Sequence, residues 1–202
     1  MKKSNALWQW IINPFVKIAG WNAFGVGIVI VGLTVVLGAW GGMCFEGMNV
    51  RPLPPELSIS LAFAEHAVHI FILILTMYAA GRIFAKHTRF QDILGTVTLS
   101  HYPYLLMPLT ALFFDYSSFN DPNLLADLLA DRHKQITLAI SLLPLAFFTF
   151  IIVVWHIVLL YNAFKVSTGL KGGKCIAVFI GSLVARWVIV GMLLKMLLLT
   201  RL

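Results

Sequence analysis

Five apolar runs dominate the chain, at residues 23–43, 61–82, 93–114, 136–160 and 176–199. Each is long enough to cross about 30 Å of hydrocarbon as a helix rising about 1.5 Å per residue. Backbone polar groups inside lipid must pair within the protein, so only helices or closed barrels span a membrane. The alternating ten-residue strands of a barrel are absent. Composition points the same way. Of 202 residues, 60% are hydrophobic and 11% charged, against about 25% charged in a soluble domain. That excludes an ordinary soluble enzyme and a disordered chain. The sequence predicts an all-α polytopic bundle of five transmembrane helices over residues 23–200, preceded by an interfacial segment over residues 1–22.

Charge sets the expected orientation. Lys2, Lys3, Lys17, Arg82, Lys86, Arg89, Lys165, Lys171 and Lys174 fall in one set of loops. Only Arg51, Arg132, Lys134 and Arg201 fall in the other, with Glu46, Glu56, Asp115, Asp121, Asp127 and Asp131. Basic loops stay cytoplasmic, so the N-terminus is expected inside, the C-terminus outside, and the inner (plasma) membrane is the expected site. The net charge of +7 reads as this asymmetry. No basic–aromatic groove suggests nucleic acid. Cys44 and Cys175 fall on opposite sides and cannot bridge.

Local signals add detail. Trp8, Trp10 and Pro14 suggest a short, broken amphipathic element on the inner leaflet. Arg51-Pro52-Leu53-Pro54-Pro55-Glu56 reads as a stiff spacer. Asp121-Pro122, followed by a leucine stripe at 124, 125, 128 and 129, reads as a short outer helix. Gly25, Gly32 and Ala39, and then Ala177, Gly181 and Ala185, form small-residue stripes suited to close packing within the chain or between copies.

Ionisable residues inside spans are costly, so each is a candidate for function. They are Glu65, His66 and His69 in the second run, His101 in the third, His156 in the fourth and Arg186 in the fifth. Counting rise along each span puts His69, His101 and Arg186 at one level, with Glu65 and His66 above and His156 below. Three roles fit: a structural layer satisfied by hydroxyls and by carbonyls freed at Pro103, Pro108 and Pro144; a proton or cation path; and a divalent-metal site at Glu65, His66 and His69. No nucleophile–base set shares one depth, and no phosphate loop is present, so no catalytic residue and no cofactor are expected. Lys165, Lys171 and Lys174 form a basic inner face for anionic lipid or a partner.

Asn13-Pro14-Phe15, Phe90-Gln91-Asp92-Ile93-Leu94, Ser100-His101-Tyr102-Pro103 with Pro108, Trp155, and Gly169-Leu170-Lys171 occur in an order that resembles the Yip-domain family of five-span membrane proteins, in its prokaryotic branch. The likeness covers about residues 8–200. It implies an integral membrane protein without a catalytic centre, with Tyr102, Pro103 and Gly169 in structural roles. The DLYGP-type motif of eukaryotic members is absent, so a Rab-type GTPase is not an expected partner. The expected function is a non-enzymatic membrane scaffold or adaptor. Its partners would be the bilayer, another membrane protein or a second copy. The alternative is a small transporter or channel for protons or divalent cations.

Overall fold

The computed structural model describes residues 6–47 and 49–199. Lys2, Lys3 and Arg201 of the charge argument lie outside them. Seven α-helices and one β-hairpin occur among the described residues, in the order α1 (Ala6–Ile12), α2 (Gly20–Trp40), β1 (Met43–Glu46), β2 (Asn49–Pro52), α3 (Ile59–Phe84), α4 (Phe90–Leu99), α5 (Leu124–Ala130), α6 (Arg132–Thr168) and α7 (Gly172–Leu199). Four helices are long and apolar enough to cross a membrane: Gly20–Trp40, Ile59–Phe84, Arg132–Thr168 and Gly172–Leu193.

The third apolar run is not one helix. It is α4, ten residues long, followed by a 3-10 segment over Tyr102–Leu112. Proline explains the break. Pro103 has no N–H to offer Leu99 and disfavours the α conformation at Tyr102, where the chain turns to 3-10 geometry. Side chains then take the released carbonyls. The Ser100 hydroxyl donates to Val97 O at 2.6 Å, and Thr110 donates to Met107 O at 2.6 Å. Runs of 3-10 helix beyond three or four residues are uncommon, so this is an irregular segment packed against protein. Tyr104 and Met107, each 1% exposed, anchor it.

Helix packing turns on two glycines. A Cβ on Gly27 would lie 2.6 Å from Leu99 N, and one on Gly95 would collide with Gly20 O. Both bring α2 and α4 into backbone contact. The stripes named from sequence point elsewhere. A Cβ on Gly25 or Gly181 would meet nothing within 4 Å, and one on Gly32 would only graze Phe63 at 3.9 Å. The buried side of α2 is Ala23, Gly27, Val31, Thr34, Val35 and Gly38, and α7 buries Cys175, Val178, Phe179 and Ser182. Neither small-residue stripe packs inside the chain. An apolar run gives no moment to mark its inner face, so spacing of small residues alone could not tell packing within the chain from packing between copies.

At the basic end, α1 and a 3-10 turn over Pro14–Val16 form the expected broken element. Its last carbonyls are capped from the bundle. Tyr102 Oη and Trp155 Nε1 donate to Ile11 O, the latter at 2.7 Å, and Asn162 Nδ2 donates to Ile12 O at 2.9 Å. Gly169 closes α6 in the left-handed region at φ 68°. At the opposite, acidic end, α5 starts at Leu124 after Asp121 accepts from Asn123 N at 2.9 Å. Asp131 then caps α6, accepting from His133 N at 2.8 Å.

Arg51 and Pro52 of the expected proline spacer belong to an antiparallel hairpin, with Met43 paired to Pro52 and Glu46 to Asn49, and residues 53–56 follow it. It folds back into the bundle: Met43, Cys44 and Phe45 are buried. A Cβ on Gly47, at the tip, would lie 3.3 Å from the Cβ of His69. His69 is ten residues into α3, so the tip descends about 15 Å below the start of that helix. Non-helical backbone at such depth is tolerated only where protein or a cavity surrounds it.

Candidate functional site: a histidine core under a re-entrant hairpin

Three histidines from three elements meet beneath the hairpin. His66 comes from α3, His101 from the α4 break and His156 from α6. They are 1%, 2% and 0% exposed. His101 and His156 have ring centroids 4.5 Å apart, and His66 and His101 5.9 Å. Tyr104 touches His156 at 5.0 Å and His101 at 6.2 Å, while Phe45 of the hairpin covers His66 at 5.7 Å.

The broken helix makes this possible. With its turns interrupted, Ser100 O is left free, and His156 Nδ1 donates to it at 2.9 Å. His101 Nδ1 donates to Val97 O, also at 2.9 Å. These bonds fix both tautomers: each Nδ1 carries the proton and each Nε2 keeps a bare lone pair. Neither Nε2 has a hydrogen-bond partner, and neither nitrogen of His66 has one. His66 leans toward the Phe45 carbonyl without closing a bond. A buried polar atom without a partner costs about 1–3 kcal/mol.

A second group sits at the hairpin tip. A Cβ on Gly47 would overlap the Arg186 guanidinium, with His69 Cβ also in contact. Arg186 Nε and His69 Nδ1 are both buried and unpartnered. Arg186 lies 14 residues into α7, about 21 Å along that helix. A lone arginine at such depth costs about 2.5–3.5 kcal/mol even on mild insertion scales. Among the described residues no carboxylate lies within ion-pair distance of it. Its charge bears on His66, His69, His101, His156 and Tyr104 alike.

Above both groups lies an ionic clasp. Arg51 of β2 binds Glu46 of β1 and takes Glu65 of α3 through both carboxylate oxygens, at 3.1 and 2.9 Å. The clasp ties the hairpin to α3.

The candidates from sequence are therefore regrouped. His66, His101 and His156 form one cluster, and His69 and Arg186 another, in place of a single level of His69, His101 and Arg186. Two facts explain the shift. Helix α6 runs to Thr168, eight residues past the expected end, which lifts His156 toward the middle. The hairpin brings its own groups down. Glu65 is taken by Arg51, so Glu65, His66 and His69 do not form a ligand set. Among the described residues no three His, Cys, Asp or Glu side chains are placed to hold a metal ion. Lys165, Lys171 and Lys174 stand exposed at the basic end, as expected. Lys165 lies 6.0 Å from the Tyr161 ring centre and Lys174 5.9 Å from that of Phe84. Sequence reasoning missed Gly47, Arg51 and Tyr104. Gly47 carried a faint signal, as a glycine next to Glu46 in a region read as linker.

Comparison with known proteins leaves this geometry to speak for itself: no family model, no curated protein and no solved structure matches the chain.

Proposed function

We propose that the chain is a multi-pass protein of the inner (plasma) membrane, with the basic end cytoplasmic, that works as a small carrier or channel for protons. The broken third run would count as the fifth span. One observation carries the reading: His66, His101 and His156 are buried in ring contact, with Nε2 of His101 and His156 held as bare acceptors and His66 unbonded. A proton accepted at one Nε2 can be passed along the chain of rings, from the acidic end near Glu46 and Glu65 toward the basic end. Imidazole is suited to this because one ring nitrogen can accept a proton and later release it to a neighbouring ring. The missing third ligand among the described residues speaks against a divalent cation in the same place.

The test is proton flux into sealed vesicles carrying a pH-sensitive dye, under an imposed pH gradient. The account expects flux with the native chain and none with the His101→Phe variant. Equal flux from both, or none from the native chain, contradicts it.

A second reading keeps its own support. The ion pairs found among the described residues involve the hairpin, α3, α5 and α6 at the acidic end. The basic end offers Lys17, Arg82, Lys86, Arg89, Lys165, Lys171 and Lys174 without a carboxylate partner. A Yip-type scaffold or adaptor would use that face to hold anionic lipid or a partner. Neutralising Lys165, Lys171 and Lys174 together should then change the set of proteins crosslinked to the chain; an unchanged set would contradict this reading.

A further inference from the structure

We propose that Arg186 and His69, under the Gly47 tip of the hairpin, form a binding site for a small oxyanion. The shared chemistry is a carboxylate or phosphate group. The inference stands apart from the proton reading, which concerns different side chains.

Three observations carry it. First, Arg186 is partly buried midway along α7, its Nε is buried without a hydrogen-bond partner, and among the described residues it makes no ion pair. Intramembrane charges are kept where they pair or carry a function. Second, the nearby carboxylates are already engaged. Glu46 and Glu65 are both bound by Arg51, which turns them toward the clasp. The positive group below is left without a counter-charge. Third, the hairpin tip presses on the guanidinium and holds it in place. Position 47 is a left-handed glycine at φ 68°, and any Cβ there would strike the guanidinium. The unpartnered His69 Nδ1 lies beside it and supplies a second polar contact.

The chemistry follows from the donor. A guanidinium presents parallel N–H groups that match two oxygens of one carboxylate or phosphate, which a cation or neutral guest does not use. Desolvation makes such a pair stronger than at a surface. The oxyanion would neutralise Arg186 and accept its Nε–H, while His69 donates to it when protonated at Nδ1.

The same group could come from solution or from a phospholipid headgroup, and the test separates them. The full chain in nanodiscs of zwitterionic phosphatidylcholine would be titrated with acetate and with inorganic phosphate, read by calorimetry. Parallel native mass spectrometry would follow retention of phosphatidylglycerol. The variants are Arg186→Gln, Arg186→Lys and His69→Gln. Saturable acetate or phosphate binding that weakens at least tenfold in Arg186→Gln and partly returns in Arg186→Lys supports a soluble anion. Retained phosphatidylglycerol that follows the same order, with no response to soluble anions, supports a headgroup. Should Arg186→Gln fail to fold, Arg186→Lys and His69→Gln carry the comparison. Binding that is absent, or identical across native chain and folded variants, overturns the proposal.

Discussion

Single atoms decide several outcomes in this molecule. Gly47 is the clearest. Alanine there would be strained at φ 68° and would also displace the Arg186 head. Gly47→Ala should therefore lower the thermal midpoint in detergent by several degrees, about 1–3 kcal/mol, whereas Gly181→Ala, which meets nothing within 4 Å, should leave it unchanged. Gly27→Val should cost about as much as Gly47→Ala, because the added carbons press on the Leu99 backbone. At the surface, Asp115 accepts from the Ser117 hydroxyl at 2.7 Å and from its amide at 2.9 Å. Those bonds hold its carboxyl below the usual aspartate range. A depressed folded value means the contribution is present above the ordinary carboxylate range and is lost as pH falls through the lowered one. Carbon-detected titration should show the Asp115 value rising in Ser117→Ala; an unchanged value would contradict the assignment.

At the scale of elements, the hairpin and the broken third run matter most. Both depend on features that hydropathy averages away. The sequence made four of the long helices plain, because an unbroken apolar run of about twenty residues satisfies its backbone most simply as a helix. Pro103 and Pro108 were visible too, yet an apolar window hides a 3-10 segment as well as it hides a helix. The hairpin was not legible. Its strands are four residues each, and they are stabilised by burial against helices that sequence does not place. Histidines could be named as candidates, but their grouping follows from where α6 ends and how deep the hairpin reaches. The Arg51 clasp yields a test at this scale. Cys44 is a free thiol 2% exposed on β1. Arg51→Gln releases both Glu46 and Glu65, so the hairpin should open more often. Maleimide labelling of Cys44 should then speed up several-fold. Labelling as slow as in the native chain would mean that Phe45 and Met43, not the clasp, hold the hairpin.

The molecule as a whole combines an apolar exterior with a polar interior that is only half satisfied. Outside, residues such as Phe147, Phe150, Trp187 and Val184 are exposed at 67%, 65%, 77% and 55%, a surface that hydrocarbon would cover. Inside, both His66 nitrogens, His69 Nδ1, the Nε2 atoms of His101 and His156, and Arg186 Nε face no partner among the described residues. Stability alone would replace such groups by apolar ones. Phenylalanine at positions 66, 101 and 156 keeps the ring contacts and removes the bare nitrogens, which is neutral or stabilising when both sides of an unmet bond disappear. At 101 and 156 it also removes one donor from a backbone carbonyl each, Val97 O and Ser100 O, so His66→Phe is the cleanest of the three. The most direct test of the account measures thermal stability and vesicle proton flux on the same preparations of the native chain and His66→Phe. The account predicts a midpoint equal to or above the native value together with loss of flux. A variant that loses stability while retaining native flux would show that His66 serves the fold and not a proton path.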